Sequence, residues 1–274
     1  MIANSEILYD NRFADAAPVA SSTAAGYDPR FIADWRAYTY WAATSAADQT
    51  ITVDCGSAAS ADTLALTNHN LGGAKLLVQG SSDGSTFTTL TGIDIDADDS
   101  MVIYCKVPSS SYRYWRIKLE NLSVAPYIGI LALGVALVMN RPLQDGEFSP
   151  ADEAANNITS VSRYGDVLGV VQLVRVLTTT LNWTVTDAWY RSTFIEAWSV
   201  HLGQCIPFFF APDRESNDVV DSYFTEVQLL LHFDNITPNM IEAYLYRVAS
   251  GSTLTAKFNT SYFRDIAMSV EGVL

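Results

Sequence analysis

The chain has 274 residues, enough for two ordinary domains or for one large β domain. Hydrophobic residues make up 49% and charged residues 17%, which excludes a disordered protein. The formal net charge is −14 and no stripe of Lys and Arg occurs. This excludes nucleic acid as a partner, because two polyanions repel each other.

The cysteines and the apolar runs narrow the class of protein further. Cys55, Cys105 and Cys205 are odd in number and lack CxxC spacing, so they fit neither a disulfide framework nor a zinc cluster. The first residues lack the basic and apolar regions of a signal peptide, and we expect none. The longest apolar run, residues 127–139, is shorter than the ~20 residues that a spanning helix needs. It predicts buried strands and no membrane insertion.

The first half begins with an aromatic-rich segment and continues as short strands. Residues 1–45 show no sustained periodicity, and the aromatic residues of 31–41 are expected to wrap the edge of a core. From residue 50, turn residues separate short alternating segments at 50–55, 62–67, 74–79, 86–90, 101–107 and 112–119. Strands at this spacing without a convincing helix predict a β-sandwich or jelly roll.

A change of composition marks the boundary between two halves. Residues 140–150 contain two prolines and a glycine among polar residues, which is typical of a linker. We therefore predict a first domain at 1–139, which includes an N-terminal extension, and a second domain at 151–274.

The second domain combines long strands with one helix. Strand-like alternation covers 167–185, and Thr186 is expected to cap a helix near 187–202 that ends at Gly203. Further strands are predicted at 207–210, 223–233, 241–248 and 252–260. The predicted fold class is mainly β, with an N-terminal jelly-roll sandwich followed by a β-rich domain with one α-helix.

One motif resembles that of a catalytic serine. Residues 80–84 match the G-x-S-x-G pattern, which works only where a strand, a sharp turn and a helix follow one another. The next residues are β-prone, and Asp83 with Gly84 is typical of a hairpin turn, so the turn is favoured. No paired carboxylates or triad can be placed either, and we expect no enzymatic activity.

An acidic segment is the one candidate for a metal site. Asp94, Asp96 and Asp98 offer oxygen ligands of the kind that calcium takes. The central glycine and the twelfth-position glutamate of an EF-hand are missing, so a solvated loop is favoured. The three histidines are widely separated in sequence and indicate no metal site. We expect no cofactor, with calcium as the first alternative.

Aromatic residues near position 38 suggest a sugar-binding surface. Such rings either stack on sugars or pack in the core, and for Trp35 and Tyr38 both alternatives stay open. Asn68 and His69 lie in a polar loop that follows a predicted strand. These four residues are the candidate glycan site.

Three motifs in the first half occur together in a known family. ITVDCG at 51–56 follows Tyr40 and Trp41, QGSSDGSTF stands at 79–87, and YRYWRI stands at 112–117. Together they resemble the discoidin-like (galactose-binding-like) jelly rolls over residues 30–135. Many such modules bind glycans and others bind only protein, so the resemblance implies the fold and leaves the ligand open.

The second half carries SVSRYG at 160–165, a long strand, the helix that starts at Asp187, and PFFFAPD at 207–213. This order of elements is similar to the ring-forming domain of phage distal tail and tail-tip proteins. In many distal tail proteins the ring domain comes first and the glycan-type module second. Here that order is reversed.

The second resemblance implies a structural virion protein of a bacteriophage tail, a distal tail or tail-tip ring component that joins the tail tube to tip or fibre proteins. Its expected partners are copies of itself in a homo-oligomeric ring and other tail proteins. Its expected location is the virion tail, assembled in the cytoplasm of the bacterial host. Phe208, Phe209 and Phe210 are the interface candidates. The alternative is a carbohydrate-binding adhesin that recognises host surface glycans through the jelly roll.

Overall fold

The computed structural model describes residues 4–96, 102–144, 153–212, 243–249, 254–258 and 262–272. The chain divides into two compact units. The first consists of Met1–Met139 and Phe209–Tyr244, and the second of Asn140–Phe208 and Leu245–Leu274. The linker at 140–150 stays a prediction, since 145–150 lie outside the described residues.

Strands dominate both units, so the predicted mainly β class is confirmed. The strands are β1 Glu6–Leu8, β2 Val19–Ala20, β3 Trp41–Ala42, β4 Gln49–His69, β5 Lys75–Ser81, β6 Thr88–Asp94, β7 Ile103–Glu120, β8 Tyr127–Gly134, β9 Leu137–Val138, β10 Glu153–Val161, β11 Val167–Thr186, β12 Phe208–Ala211, β13 Tyr244–Val248, β14 Thr255–Phe258 and β15 Phe263–Gly272. The helical segments are the 3₁₀ helices Arg12–Ala14, Pro29–Ala33 and Leu202–Gln204, the α-helices α1 Asp187–Trp189 and α2 Ile195–Val200, and the π turn Tyr190–Phe194 between these two.

Two long strands build the sandwich of the first unit. β4 and β7 pair antiparallel along their length, with register shifts at 54–59 and 61–63 of β4. One end of this pair extends into a five-stranded sheet in the order β2-β4-β7-β5-β6. The other end continues through β8 to β3. A strand that passes from one sheet to the other at a bulge forms the corner of a sandwich.

Alternation along the strands fills the core between the two sheets. Trp115, Ile117 and Leu119 of β7 are fully buried, as are Leu64 and Leu66 of β4. The intervening residues of the five-stranded sheet point outward, because successive side chains of a strand leave on opposite faces. The predicted jelly-roll sandwich is therefore confirmed as a β-sandwich.

The N-terminal strand is fixed to the first unit by an ion pair between the buried Glu6 and the partly exposed Lys106. Glu6 is fully buried, and its carboxylate accepts hydrogen bonds from the Tyr104 hydroxyl at 2.9 Å and from Lys106 Nζ at 2.6 Å. β1 also pairs with β9 and with β12. A buried carboxylate needs such partners because its desolvation is otherwise costly.

The hairpin between β5 and β6 places residues 80–84 at the end of β5 and in the turn that follows it, as predicted. Ser81 Oγ accepts from the Gly84 amide at 3.0 Å, and Gly84 has a φ of +74° that suits glycine. Backbone N–H groups of Thr86 and Ser85 donate to the Asp83 carboxylate and lower its pKa to about 2. The Ser81 hydroxyl therefore holds the turn together. Ser82, the serine of the motif, is followed by the turn and the strand β6, so it does not stand above a helix.

The second unit is built around β11 and β15. Residues 178–186 of β11 pair with β15, which also pairs with β13 and β14. Residues 167–177 of β11 pair with β10 and, among the described residues, with no other strand. We call β10 together with residues 161–177 the ribbon.

The predicted helix begins where expected and ends differently. Thr186 precedes it, but its side chain makes no capping hydrogen bond, and Asp187 instead pairs with Arg264 and Arg191. The left-handed residue after the helix is Cys205 rather than Gly203. Gly203 is required for another reason, since a Cβ there would meet the backbone and indole of Trp198.

Candidate functional site

Three tyrosines form a contiguous aromatic surface on the first unit. The Tyr27 and Tyr40 rings stack with centroids 4.7 Å apart, and the Tyr127 ring lies tilted 5.4 Å from Tyr40. All three side chains are partly exposed. A hydrogen bond with Tyr27 raises the pKa of Tyr40, so the Tyr40 hydroxyl stays protonated at neutral pH. We call these residues the tyrosine cluster.

Local structure on three segments brings the cluster together. Tyr27 follows a turn closed by its amide and the Ala24 carbonyl, and it precedes the 3₁₀ helix that starts at Pro29. Tyr40 stands directly before β3, whose Ala42 pairs with Tyr127 of β8. β3–β8 pairing therefore brings Tyr127 to Tyr40. The segment of Tyr27 is joined to β3 by the Ala24 amide, which donates to the Ala42 carbonyl at 2.8 Å.

A polar residue from a third loop supports the same surface. The Asn70 side chain accepts from the Tyr127 amide at 2.8 Å and donates to the Ala125 carbonyl at 3.0 Å. It therefore fixes the start of β8 and the position of Tyr127. The Asn70 side chain remains partly exposed beside the cluster.

The two predicted aromatic residues differ in their surroundings. Tyr38 is 77% exposed, on the loop that leads to Tyr40. Trp35 is half-buried in a left-handed conformation, with its ring 5.9 Å from that of Phe209. Tyr38 is thus presented to solvent beside the cluster, whereas Trp35 packs against a core residue.

The two predicted polar residues, Asn68 and His69, form hydrogen bonds that hold the loop in place. Asn68 also has a positive φ, and its Nδ2 donates to the Ala37 carbonyl at 2.9 Å, which ties the end of β4 to the loop that carries Trp35 and Tyr38. His69 is only 4% exposed, and its Nδ1 accepts from the Leu71 amide at 3.2 Å. His69 is therefore buried, and we leave it out of the proposed ligand surface.

The acidic segment offers few converging ligands. The Asp94 side chain is 78% exposed and lies 3.8 Å from Lys75 Nζ. Asp96 is half-buried, and Asp98 lies outside the described residues. Within the described part of the chain, no three His, Cys, Asp or Glu residues are grouped closely enough to hold a metal ion. Calcium binding there stays a prediction.

The phenylalanine run is part of the core, which corrects its prediction as an interface. Phe208, Phe209 and Phe210 are all fully buried in β12. β12 pairs with β1, with Ile7 opposite Phe210. Three consecutive apolar residues in a strand covered on both faces give the same sequence pattern as an exposed sticky strand.

The end of the ribbon is a second candidate surface. Val161 is 58% exposed, Val167 62%, Leu168 70% and Tyr164 87%. The turn between the strands is held by the Ser162 hydroxyl, which accepts from the Asp166 amide at 3.0 Å. Several exposed apolar residues around one turn are typical of an interaction surface.

Comparisons with known proteins find similarity to solved structures only. No family model and no curated protein match the chain. Similar solved structures include a pectin-binding carbohydrate-binding module (18% identity, 43% of this chain, 88% of that chain, TM-score 0.38). A CBM32 module from Clostridium perfringens in complex with GalNAc-β-1,3-galactose also matches (16% identity, 47% and 99%, TM-score 0.41).

A third similar structure is chitosan-binding module 1 from a chitosanase/glucanase of Paenibacillus sp. IK-5 (20% identity, 46% of this chain, 98% of that chain, TM-score 0.39). All three are carbohydrate-binding modules. At these identities and TM-scores the similarities carry no inference about what this chain binds, and any ligand must be argued from its own residues. Among the described residues, no helix is both long and apolar enough to cross a membrane.

Proposed function

We propose that the first unit binds carbohydrate through the tyrosine cluster and Tyr38. The observation that supports this proposal most strongly is the partly exposed stack of Tyr27 and Tyr40. An aromatic ring offers a flat apolar face to the C–H groups of a sugar, while its hydroxyl reaches the sugar hydroxyls. The stack and Asn70 hold the rings in place before a ligand arrives, which lowers the entropic cost of binding.

The chemistry of the surface favours a neutral or weakly charged sugar. Two nearby carboxylates are engaged: Asp28 pairs with Arg30 at 2.9 Å, and the Asp34 carboxylate accepts from Thr39 Oγ1 at 2.8 Å. The protein has a net charge of −14, which weakens binding of a polyanion. Binding would involve no chemical conversion, so we propose a binding protein and not an enzyme.

A glycan array with the full chain tests this proposal. We expect binding to neutral glycans, weakened at least tenfold in Tyr40→Ala because the middle ring of the cluster is lost. Tyr262→Ala is the matched control, since Tyr262 is 78% exposed in the second unit. No glycan binding by the wild-type chain, or equal loss in both variants, would contradict the proposal.

We further propose that the second unit serves assembly, as a structural component of a bacteriophage tail in the distal tail or tail-tip ring. The observation that favours this role is the ribbon, with its exposed Tyr164 and Leu168. An isolated two-stranded ribbon is only marginally stable in water, so a partner that covers it would stabilise it. A second copy of this chain is the proposed occupant.

Charge on the tip supports contact between copies. Arg163 and Asp166 are both exposed there, so the turn is locally neutral in a chain whose net charge is −14. Like-charged subunits repel least where the local charge is balanced and the surface apolar. The chain would then occupy the virion tail, with other tail proteins as neighbours and a host glycan as the ligand of the first unit.

Native mass spectrometry and electron microscopy of the purified chain test the assembly role. We expect a ring of fixed size that dissociates in Leu168→Glu, because a charge is placed in the apolar contact. Val200→Glu is the control, since Val200 is 54% exposed on α2. A strictly monomeric wild-type chain at high concentration would contradict ring formation.

A further inference from the structure

Arg116 occupies the outer face of the five-stranded sheet, away from the tyrosine cluster. Its neighbours on β7, Trp115 and Ile117, are fully buried, so Arg116 points outward by alternation. In register, it lies opposite Gln79 of β5 on one side and Thr52 of β4 on the other. A cation at this place is flanked by polar, uncharged residues.

Two contacts hold the guanidinium in one orientation. Its carbon lies 3.6 Å from the centroid of the Phe87 ring, and Nε donates to Gln79 Oε1 at 2.7 Å. Gln79 is itself fixed, because its Nε2 donates to Thr89 Oγ1 at 2.9 Å. The flat group is therefore stacked on one face and tied along one edge, and this preorganises its other N–H groups.

Unlike the neighbouring Arg113 and Lys118, Arg116 has no carboxylate partner among the described residues. Arg113 pairs with Asp54 at 2.7 Å and Lys118 with Glu120 at 2.5 Å, whereas within the described residues no Asp or Glu pairs with Arg116. A guanidinium carries five N–H donors, and the contact with Gln79 uses only the one on Nε. Burial lowers the pKa of Arg116, which is the sign of a cation that has lost water without gaining an anion.

We propose that Arg116 and Phe87 form a subsite for the carboxylate of a uronic-acid sugar. The terminal N–H groups of a guanidinium match the two oxygens of a carboxylate in a bidentate pair. Thr52 and Thr89 place hydroxyl groups on either side, where they suit the sugar hydroxyls. This assignment rests on the proposal that the first unit binds carbohydrate, and it adds a charged group to the ligand.

Local charge limits the ligand to one carboxylate at this place. The carboxylate of Asp54 lies on the neighbouring strand β4 and that of Glu120 lies on β7 itself, and the whole chain is acidic. A highly charged polymer would meet these carboxylates as well as Arg116, and like charges repel. A single acidic residue at the end of a glycan, or within a mostly neutral one, avoids that repulsion.

NMR titration of the full chain with three small sugars tests the subsite. The probes are methyl β-D-glucuronide, the neutral methyl β-D-glucoside, and glucose 6-sulfate. We expect the glucuronide to bind at least tenfold more tightly than the glucoside and to shift the Arg116 Nε–H signal. Equal affinity for the two would overturn the proposal, and equal affinity for glucose 6-sulfate would overturn the assignment to a carboxylate.

Three variants separate this subsite from a general charge effect. Arg116→Gln should abolish the preference for glucuronide, and Arg116→Lys should retain only part of it because the two-pronged geometry is lost. Arg113→Gln is the control: it removes a neighbouring cation that is already paired with Asp54, and should leave the preference unchanged. A preference that survives Arg116→Gln would overturn the proposal.

The failure of this inference is distinguishable from failure of the proposed function. Loss of neutral glycan binding in Tyr40→Ala, with no glucuronide preference in the wild-type chain, would refute the subsite and leave the tyrosine cluster standing. A preference that depends on Arg116, with neutral binding unchanged in Tyr40→Ala, would support the subsite and refute the cluster.

Discussion

The two units use their longest strands in opposite ways. In the first unit, β4 and β7 each pair on both sides over part of their length, and alternate residues such as Trp115 fill a closed core. In the second, residues 167–177 of β11 have one neighbouring strand among the described residues, and Leu168 is 70% exposed. The first unit therefore presents binding groups on loops and on an outer face of a stable core, whereas the second presents the strand itself.

The largest expected effect is loss of the core in the first unit. Trp115 is fully buried and its indole N–H donates to the Ala59 carbonyl at 3.1 Å. Trp115→Ala should lower the free energy of unfolding by about 3–5 kcal/mol, because a large cavity remains. Leu168→Ala on the ribbon should change it by less than about 0.5 kcal/mol in the monomer. Urea denaturation of both variants measures the free energy of unfolding. An equal decrease in the two variants would contradict the difference between the units.

A pair of glycine substitutions should give a smaller effect of the same kind. A Cβ at Gly80 of β5 would overlap the Tyr112 ring, whereas a Cβ at Gly169 of the ribbon would meet nothing within 4 Å. Gly80→Ala should therefore cost about 1–3 kcal/mol, since overpacking displaces the ring. Gly169→Ala should cost nothing measurable. Thermal unfolding compares the two, and a destabilised Gly169→Ala would show that the ribbon is packed more tightly than described.

The smallest expected effect is on pH dependence in the β5–β6 turn. The ordinary pKa of Asp83 is 3.8, and it falls to about 2 in the folded chain because backbone N–H groups donate to the carboxylate. A group with a lowered folded-state pKa stabilises the fold above the ordinary value, and this stabilisation is lost as pH falls from 3.8 toward 2. Acid unfolding of Asp83→Asn should be shallower over that interval than that of the wild type, and identical curves would exclude the contribution.

Local sequence patterns predicted individual strands and turns, but they did not predict where two strand segments join into one long strand. The alternation of Trp115, Ile117 and Leu119 indicated the buried face of β7, and Asp83 with Gly84 indicated the hairpin. The sequence divides β7 into 101–107 and 112–119, since Pro108 and the serines after it resemble a loop. Pairing with 59–61 of β4 keeps this segment extended, and local propensity carries no information about that partner.

The sequence identified Tyr38 as a candidate, but its exposure could not be predicted, because the aromatic residues of 31–41 fit a core as well as a surface. The PFFF run likewise has no signal that distinguishes a buried strand from an exposed one. Tyr27 and Tyr127 were missed because they meet Tyr40 only through tertiary contacts. β3–β8 pairing brings Tyr127 there, and the hydrogen bond from the Ala24 amide to the Ala42 carbonyl brings the segment of Tyr27. Tyr127 begins an apolar run that indicated a buried strand, so its partial exposure was not predicted.

The proposal that the tyrosine cluster binds sugar can be tested most directly by aromatic NMR of the chain with ¹³C-labelled tyrosine. A glycan that scores on the array should shift the ring signals of Tyr27, Tyr40 and Tyr127, because a sugar stacked on these rings changes their magnetic environment. The rings of Tyr164 and Tyr262, both exposed in the second unit, should not shift. Binding that shifts no ring of the cluster would contradict the account.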